Sequence, residues 1–423
     1  MWKCNLYTKV RKGAAKVNLK KSNQINKKNY IFIMIGAVTM FLIGNIVARF
    51  GFIIGPNFRE YYNAIKYAED YSKYEGLFET RAVIINNYND EVDDSKLLDG
   101  AIKGMASSLN DPYTVYMNTE EYEKFNLSNA GIRIGIGVSI TVQNSQVTIT
   151  NIESGKPAER AELKIGDIIT KVDGENIDGD SNKAVSLISN MSKKSIVLTI
   201  LRDNKSFDVE LEKEEIKRNS VEHEMISSNI GYIRLKDFNE DASTEFIDAL
   251  TELKDKGMTG LIFDLRSNGG GFLKEAENIA SQFIPKDKVI TTLNNKFSKE
   301  KVSLSTGGIA EDIPVVLLVN KNTASASEVV TGALRDYNIA TIVGTNTYGK
   351  GVAQSTFKIK STDGALKVTI DNFYTPNGEN INKVGIKPDY EVALTEKDVQ
   401  GGYSKEVDPQ YQKALEIINE KLK

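Results

Sequence analysis

A long, mostly apolar stretch lies near the start of the chain, where residues 30–47 read YIFIMIGAVTMFLIGNIV with no charge before Arg49. Roughly 20 apolar residues in helical form cross a bilayer, so this stretch predicts a membrane-spanning helix. Beyond it, Tyr61, Ile65, Ala68 and Tyr71 recur near helical spacing, and Leu97, Leu98, Ala101, Ile102 and Met105 form a second stripe. That period predicts amphipathic helices able to pack on the body or on a second copy of the chain. Asn110-Asp111-Pro112-Tyr113-Thr114 ends the second helix. Gly135-Ile136-Gly137-Val138-Ser139-Ile140 then passes from a glycine-bearing turn into an alternating strand. Unpaired amides at such a turn can cradle a carboxylate, and the strand behind it can pair with an extended peptide.

From residue 214 to about 394 strand and helix signals alternate. Strands are predicted over 230–235, 261–265, 315–319, 341–343, 354–359 and 366–371, and helices over 243–253, 275–283 and 328–335. This alternation predicts an α/β body with a central sheet covered by helices. In such sheets functional loops gather at the strand ends. The polar, helix-forming tail 404–423 reads as a peripheral helix.

Composition narrows the picture. With 423 residues and 40% apolar content, the chain can bury more than one core. The net charge of -3 argues against a nucleic-acid-binding body. Residues 1–29 are rich in lysine and carry no acid, and their place just before the apolar run reads as a topology signal. The positive flank then stays in the cytoplasm and everything after Gly55 lies outside. The apolar run is long and no A-x-A site follows it, which favours an uncleaved anchor over a signal peptide. Cys4 is the only cysteine, and there is no HExxH or carboxylate-histidine cluster. No disulfide, metal site or cofactor is expected.

Candidate chemistry centres on Asn322-Thr323-Ala324-Ser325-Ala326-Ser327-Glu328. It places Ser325 on a turn from an apolar strand into a helix, where free backbone N–H groups and the helix dipole can hold developing negative charge. A serine hydroxyl needs a base. His223 is the only histidine and sits in a charged segment. The other option is Lys350, in Thr347-Tyr348-Gly349-Lys350-Gly351-Val352-Ala353-Gln354, with its charge suppressed by burial and its glycine neighbours allowing close backbone packing.

Ser325 in its S-A-S-E context, Lys350 twenty-five residues on and Gln354 four beyond resemble the Ser-Lys-Gln site of the carboxyl-terminal processing peptidases, the tail-specific serine proteases. Asp264-Leu265-Arg266-Ser267-Asn268-Gly269-Gly270-Gly271 is similar to that family's D-L-R-x-N-P-G-G loop, with Gly269 where the family usually has proline. The resemblance implies that the Gly270 and Ala326 amides form the oxyanion hole and that Gln354 orients the Lys350 amine. The stretch from Asp99 to Tyr113 resembles the family's segment preceding its PDZ domain. Pro157-Ala158-Glu159-Arg160-Ala161 and the run from Leu163 to Gly174 are similar to bacterial PDZ domains. By that resemblance Gly135, Ile136, Gly137 and Val138 would receive a peptide tail, with Val185 and Ile188 of a helix near 182–189 lining the pocket.

The residue patterns and the resemblance together predict a cytoplasmic tail (1–29), a membrane anchor (30–54), a helical region (55–129), a PDZ domain (130–213), an α/β (α+β) peptidase core (214–395) and a C-terminal helical tail (396–423). Its implied activity is a membrane-anchored serine endopeptidase cutting extracytoplasmic proteins near apolar C-termini. The non-enzyme alternative is a PDZ scaffold with an inactive protease-like body. A free lysine titrates near 10.4 and a useful base at roughly 7 to 8, so burial must disfavour the charged amine by about 4 kcal/mol and no carboxylate should pair with it.

Overall fold

The computed structural model describes residues 32, 34–40, 58–297, 299–395, 398 and 403–423. Among these no helix is long and apolar enough to cross a membrane. The expected cytoplasmic tail 1–29 lies outside the described residues, as does most of the expected anchor 30–54. The chain divides into two compact units, 1–92 and 93–423. The first contains one long helix, Phe58–Asn87.

The second unit is built on a six-stranded sheet ordered 221–225, 230–235, 260–264, 315–319, 340–344, 390–391. The first pair is antiparallel and all later neighbours are parallel. Every residue of Val315–Val319 is buried, as a strand covered on both faces requires. Alternation divides its side chains: Val315, Leu317 and Val319 join the core beneath helices Ala242–Asp255, Leu273–Ser281 and Ala326–Asp336. Val316 and Leu318 face the other way, against Tyr411, Ala414, Ile417 and Ile418 of helix Pro409–Lys421. The tail read as a peripheral helix is thus one wall of the central sheet. Its apolar residues are few, but they fall on a single stripe.

A second, five-stranded sheet contains the expected strands 354–359 and 366–371, while its other three strands were not foreseen. Strand Gly364–Tyr374 is its hub, pairing with Val115–Met117, Val289–Asn295 and Val352–Ile359, while Glu300–Leu304 continues it from Val289–Asn295. Helix Thr119–Asn129 falls within the expected helical region 55–129 but was not read as an element of its own. Its signature is a capping box in which Asn118 Oδ1 accepts the Glu121 N–H at 3.0 Å and Glu121 returns a bond to the Asn118 N–H at 2.9 Å.

The PDZ module is a separate six-stranded sheet around its own core, with strand Val138–Gln143 on an edge. The chain enters it through Ile132–Gly135 and leaves through Glu214–Lys217, and these two segments pair with each other as an antiparallel ribbon. The ribbon is thus the sheet connection between module and body.

Candidate active site

The turn before helix Ala326–Asp336 is stitched to the glycine loop. Thr323 Oγ1 donates to Leu265 O at 2.8 Å, the Ala324 N–H to Asn268 O at 3.0 Å, and Ser327 Oγ to the same carbonyl at 3.0 Å. Ser325 caps the helix with φ 59° and ψ -118°, a conformation that costs an L-residue on the order of 1–3 kcal/mol and persists only where its surroundings enforce it. Gly270 (φ 96°) presses on this turn so closely that a Cβ there would lie 2.8 Å from Ser325 Cβ and 2.9 Å from Ala326 N. Only glycine fits.

Arg266 fixes the base of the loop. It is buried, bonds Asp264 Oδ2 at 2.6 Å and Asp408 Oδ2 at 2.5 Å, and so ties the loop to the cap of the C-terminal helix. Tyr232 donates to the same Asp264 oxygen at 2.8 Å. Asp264 and Arg266 are thus structural supports of the glycine loop.

Lys350 sits in an extended loop before strand Val352–Ile359. Its glycine neighbours serve close packing: a Cβ at Gly349 would meet Gly385 N at 2.8 Å, and one at Gly351 would meet Asn382 N at 2.6 Å. The Lys350 Nζ lies 4.7 Å from the centre of the Tyr113 ring. Burial holds the amine below the usual lysine range, and the Lys367 charge adds to that effect, while the Asp111 and Glu328 carboxylates oppose it. Burial also pushes the Tyr113 hydroxyl up to about 12, so this ring stays neutral beside the amine.

Glu328, in the first turn of the helix, is fully buried. Its Oε2 accepts the Ser325 N–H at 2.9 Å and the Lys350 N–H at 2.8 Å. Its Oε1 accepts the Gly349 N–H at 2.7 Å and the Thr347 hydroxyl at 2.6 Å. Three of these four donors come from a loop about twenty residues further along the chain.

Ser325, Ala326, Gly270, Lys350 and Gln354 line one cleft of about 710 Å³, together with Lys367 and with Tyr122 and Phe125 of helix Thr119–Asn129. Three details depart from the expected roles. The Gly270 N–H, assigned to the oxyanion hole, donates to Asn268 Oδ1 at 2.9 Å and is not free in this arrangement. The Gln354 amide donates to Thr369 Oγ1 at 3.3 Å and Val352 O at 3.4 Å, and not to Lys350. No hydrogen bond joins Ser325 Oγ to Lys350 Nζ, because the amine rests over Tyr113. His223 is elsewhere, on the sheet edge with Nε2 3.0 Å from Glu252 Oε2.

In the PDZ module the N–H groups of Ile136 and Gly137 are claimed by no carbonyl among the described residues, and Val138 opens the edge strand. Gly135 ends the ribbon strand opposite Glu214. Val185 is exposed. Ile136 and Ile188, expected at the peptide pocket, are both buried among the residues of the module's core.

The profile of Peptidase family S41 matches residues 229–392, that of a PDZ domain residues 135–212, and that of the activating protease CtpB N-terminal domain residues 33–121. The chain belongs to the S41 family of serine peptidases, as a member carrying a PDZ domain. Within it, the chain is 34% identical over 379 residues to a "Probable CtpA-like serine protease" of Staphylococcus aureus (strain COL), covering 88% of this chain and 74% of the relative. A like-named protein of Staphylococcus haemolyticus is 35% identical over 312 residues, 73% of this chain and 62% of that one. An S41 protease structure from Bacteroides fragilis, 18% identical, shares the fold at a TM-score of 0.55 over 79% of this chain and 92% of that one. By family the chain is therefore a CtpA-like serine peptidase.

Proposed function

We propose that this chain is a membrane-anchored serine endopeptidase in which Ser325 is the nucleophile and Lys350 the general base, acting on extracytoplasmic proteins near apolar C-termini. The observation that carries the reading is the shared cleft: a strained serine at a helix entrance opposite an amine whose charge burial disfavours. Neutral Lys350 takes the Ser325 proton as Oγ attacks the scissile carbonyl. The resulting ammonium gives that proton to the leaving amine, and the acyl-enzyme forms. Water then attacks the acyl carbonyl and passes a proton to Lys350, which returns it to Ser325 Oγ as the acyl–Oγ bond breaks and the acid leaves. The Ala326 N–H faces the oxyanion, and Gly270 joins it once the Asn268 bond yields.

Two forces act on the resting amine. The Tyr113 ring favours the charged form and burial the neutral one. Peptide entry that draws Lys350 off the ring would bring it within reach of Ser325 and of Gln354. The open strand Val138–Gln143 and the free Ile136 and Gly137 amides support tail capture by the PDZ module through β-addition. The apolar stretch 30–54 supports the anchor.

Incubation with an unfolded protein ending in apolar residues tests the reading. The native chain should cleave it, and Ser325→Ala and Lys350→Ala should each lose on the order of 10² to 10⁴ or more in rate. Equal cleavage by all three would leave the body as an inactive scaffold.

A further inference from the structure

A helix-capping acid needs one partner, the N–H at the helix start. Glu328 has that partner in Ser325, yet it collects three more donors from residues 19, 21 and 22 positions later. The four donors match the four lone-pair sites of one carboxylate, so a fully buried charge is left with no unmet acceptor. The two carboxylate oxygens divide the work. One spans the main chains of Ser325 and Lys350, and the other pins the approach to Lys350 through Gly349 and Thr347.

We propose that Glu328 is a positioning residue that fastens the main chain of the nucleophile to the main chain of the base, so that a single buried carboxylate fixes their registration. This rests on the Ser325 and Lys350 roles proposed above. The same bond restrains the strained turn, because the Ser325 N–H is held while its φ stays positive. The carboxylate also faces the amine electrostatically, beside the other groups around it: Lys367 from strand Gly364–Tyr374, and Asp111 and Tyr113 from the segment before Val115–Met117. Gln at this position would keep one accepting oxygen and turn an NH₂ toward N–H donors. It would lose the negative charge and about half of the bonds together.

The test compares the full-length native chain with Glu328→Gln, Thr347→Val and Thr347→Ser, with rates divided by the number of sites titrated by a fluorophosphonate. For Glu328→Gln the expected result is a fall in kcat of about 10- to 100-fold with KM changed less than about 2-fold. The rising limb of kcat/KM should also move to lower pH, because an anion that favoured the ammonium form is gone. Thr347→Val should lower kcat several-fold and Thr347→Ser restore it, which keeps the test decisive if Glu328→Gln does not fold. A merely structural role would reduce the titrated sites and leave kcat per site and the limb in place. Native kcat per site in both Glu328→Gln and Thr347→Val would overturn the proposal. Activity retained in Lys350→Ala would instead sink the Ser-Lys reading beneath it.

Discussion

The surroundings of Lys350 hold its amine below the ordinary lysine range. Burial comes first, the positive charge of Lys367 second, and the acids Asp111 and Glu328 pull the other way. Removing a cation that disfavours the ammonium form must raise the amine's pKa. Lys367→Met is therefore expected to move the rising limb of kcat/KM to higher pH, measured as initial cleavage rates across pH, and an unmoved limb would remove Lys367 from the account. At this scale the sequence was legible where one residue type has one use. Ser325 after an apolar strand and Lys350 between glycines were readable because turn, charge and spacing are local. The commitment of the Gly270 amide to Asn268 was not, since it depends on a side chain reaching two residues along a folded loop. Nor was the resting place of the Lys350 amine, set by a ring far away in sequence.

Whole elements were legible in proportion to their apolar contrast. Strand Val315–Val319 and the helix after it read clearly, because a strand buried on both faces is a continuous apolar run. Helix Thr119–Asn129 has no buried residue, so hydrophobic periodicity could not find it and only the Asn118 to Glu121 box marks it. It nevertheless supplies Tyr122 and Phe125 to the cleft. Strand Val289–Asn295 is buried or half-buried throughout and Glu300–Leu304 is mostly exposed, so neither alternates clearly, and both were passed over. The C-terminal helix was seen but its place was misjudged. Ile418 is fully buried against the central sheet, so Ile418→Ala should cost about 2–5 kcal/mol of unfolding free energy. Denaturant titration checks this, and a loss under about 0.5 kcal/mol would return the helix to the periphery.

At the scale of the molecule, the PDZ module hangs on a two-stranded ribbon while Arg266 and Asp408 lock the glycine loop to the end of the chain. Module and body are thus joined by few backbone bonds, whereas the parts of the cleft are joined by many. Such a contrast suits a module that shifts on peptide binding while the main chains of Ser325 and Lys350 stay in register and only the groups around them adjust. The order of modules was legible because each has its own local signature. Their sheets were less so, since pairing such as Val115–Met117 with Gly364–Tyr374 spans most of the chain. The proposed anchor predicts that the full chain sediments with membranes through carbonate washing and that removal of residues 1–54 releases it. Release of the full chain by the wash would contradict an anchor.

The central claim is that an uncharged Lys350 activates Ser325. It is tested most directly by the rate of Ser325 acylation by a fluorophosphonate, followed from about pH 6 to 10 in the native chain, Lys350→Ala and His223→Ala. The account predicts a rate that climbs through a group titrating well below the ordinary lysine value, vanishes in Lys350→Ala and is unchanged in His223→Ala. A limb that survives in Lys350→Ala, or one that disappears with His223, would contradict it.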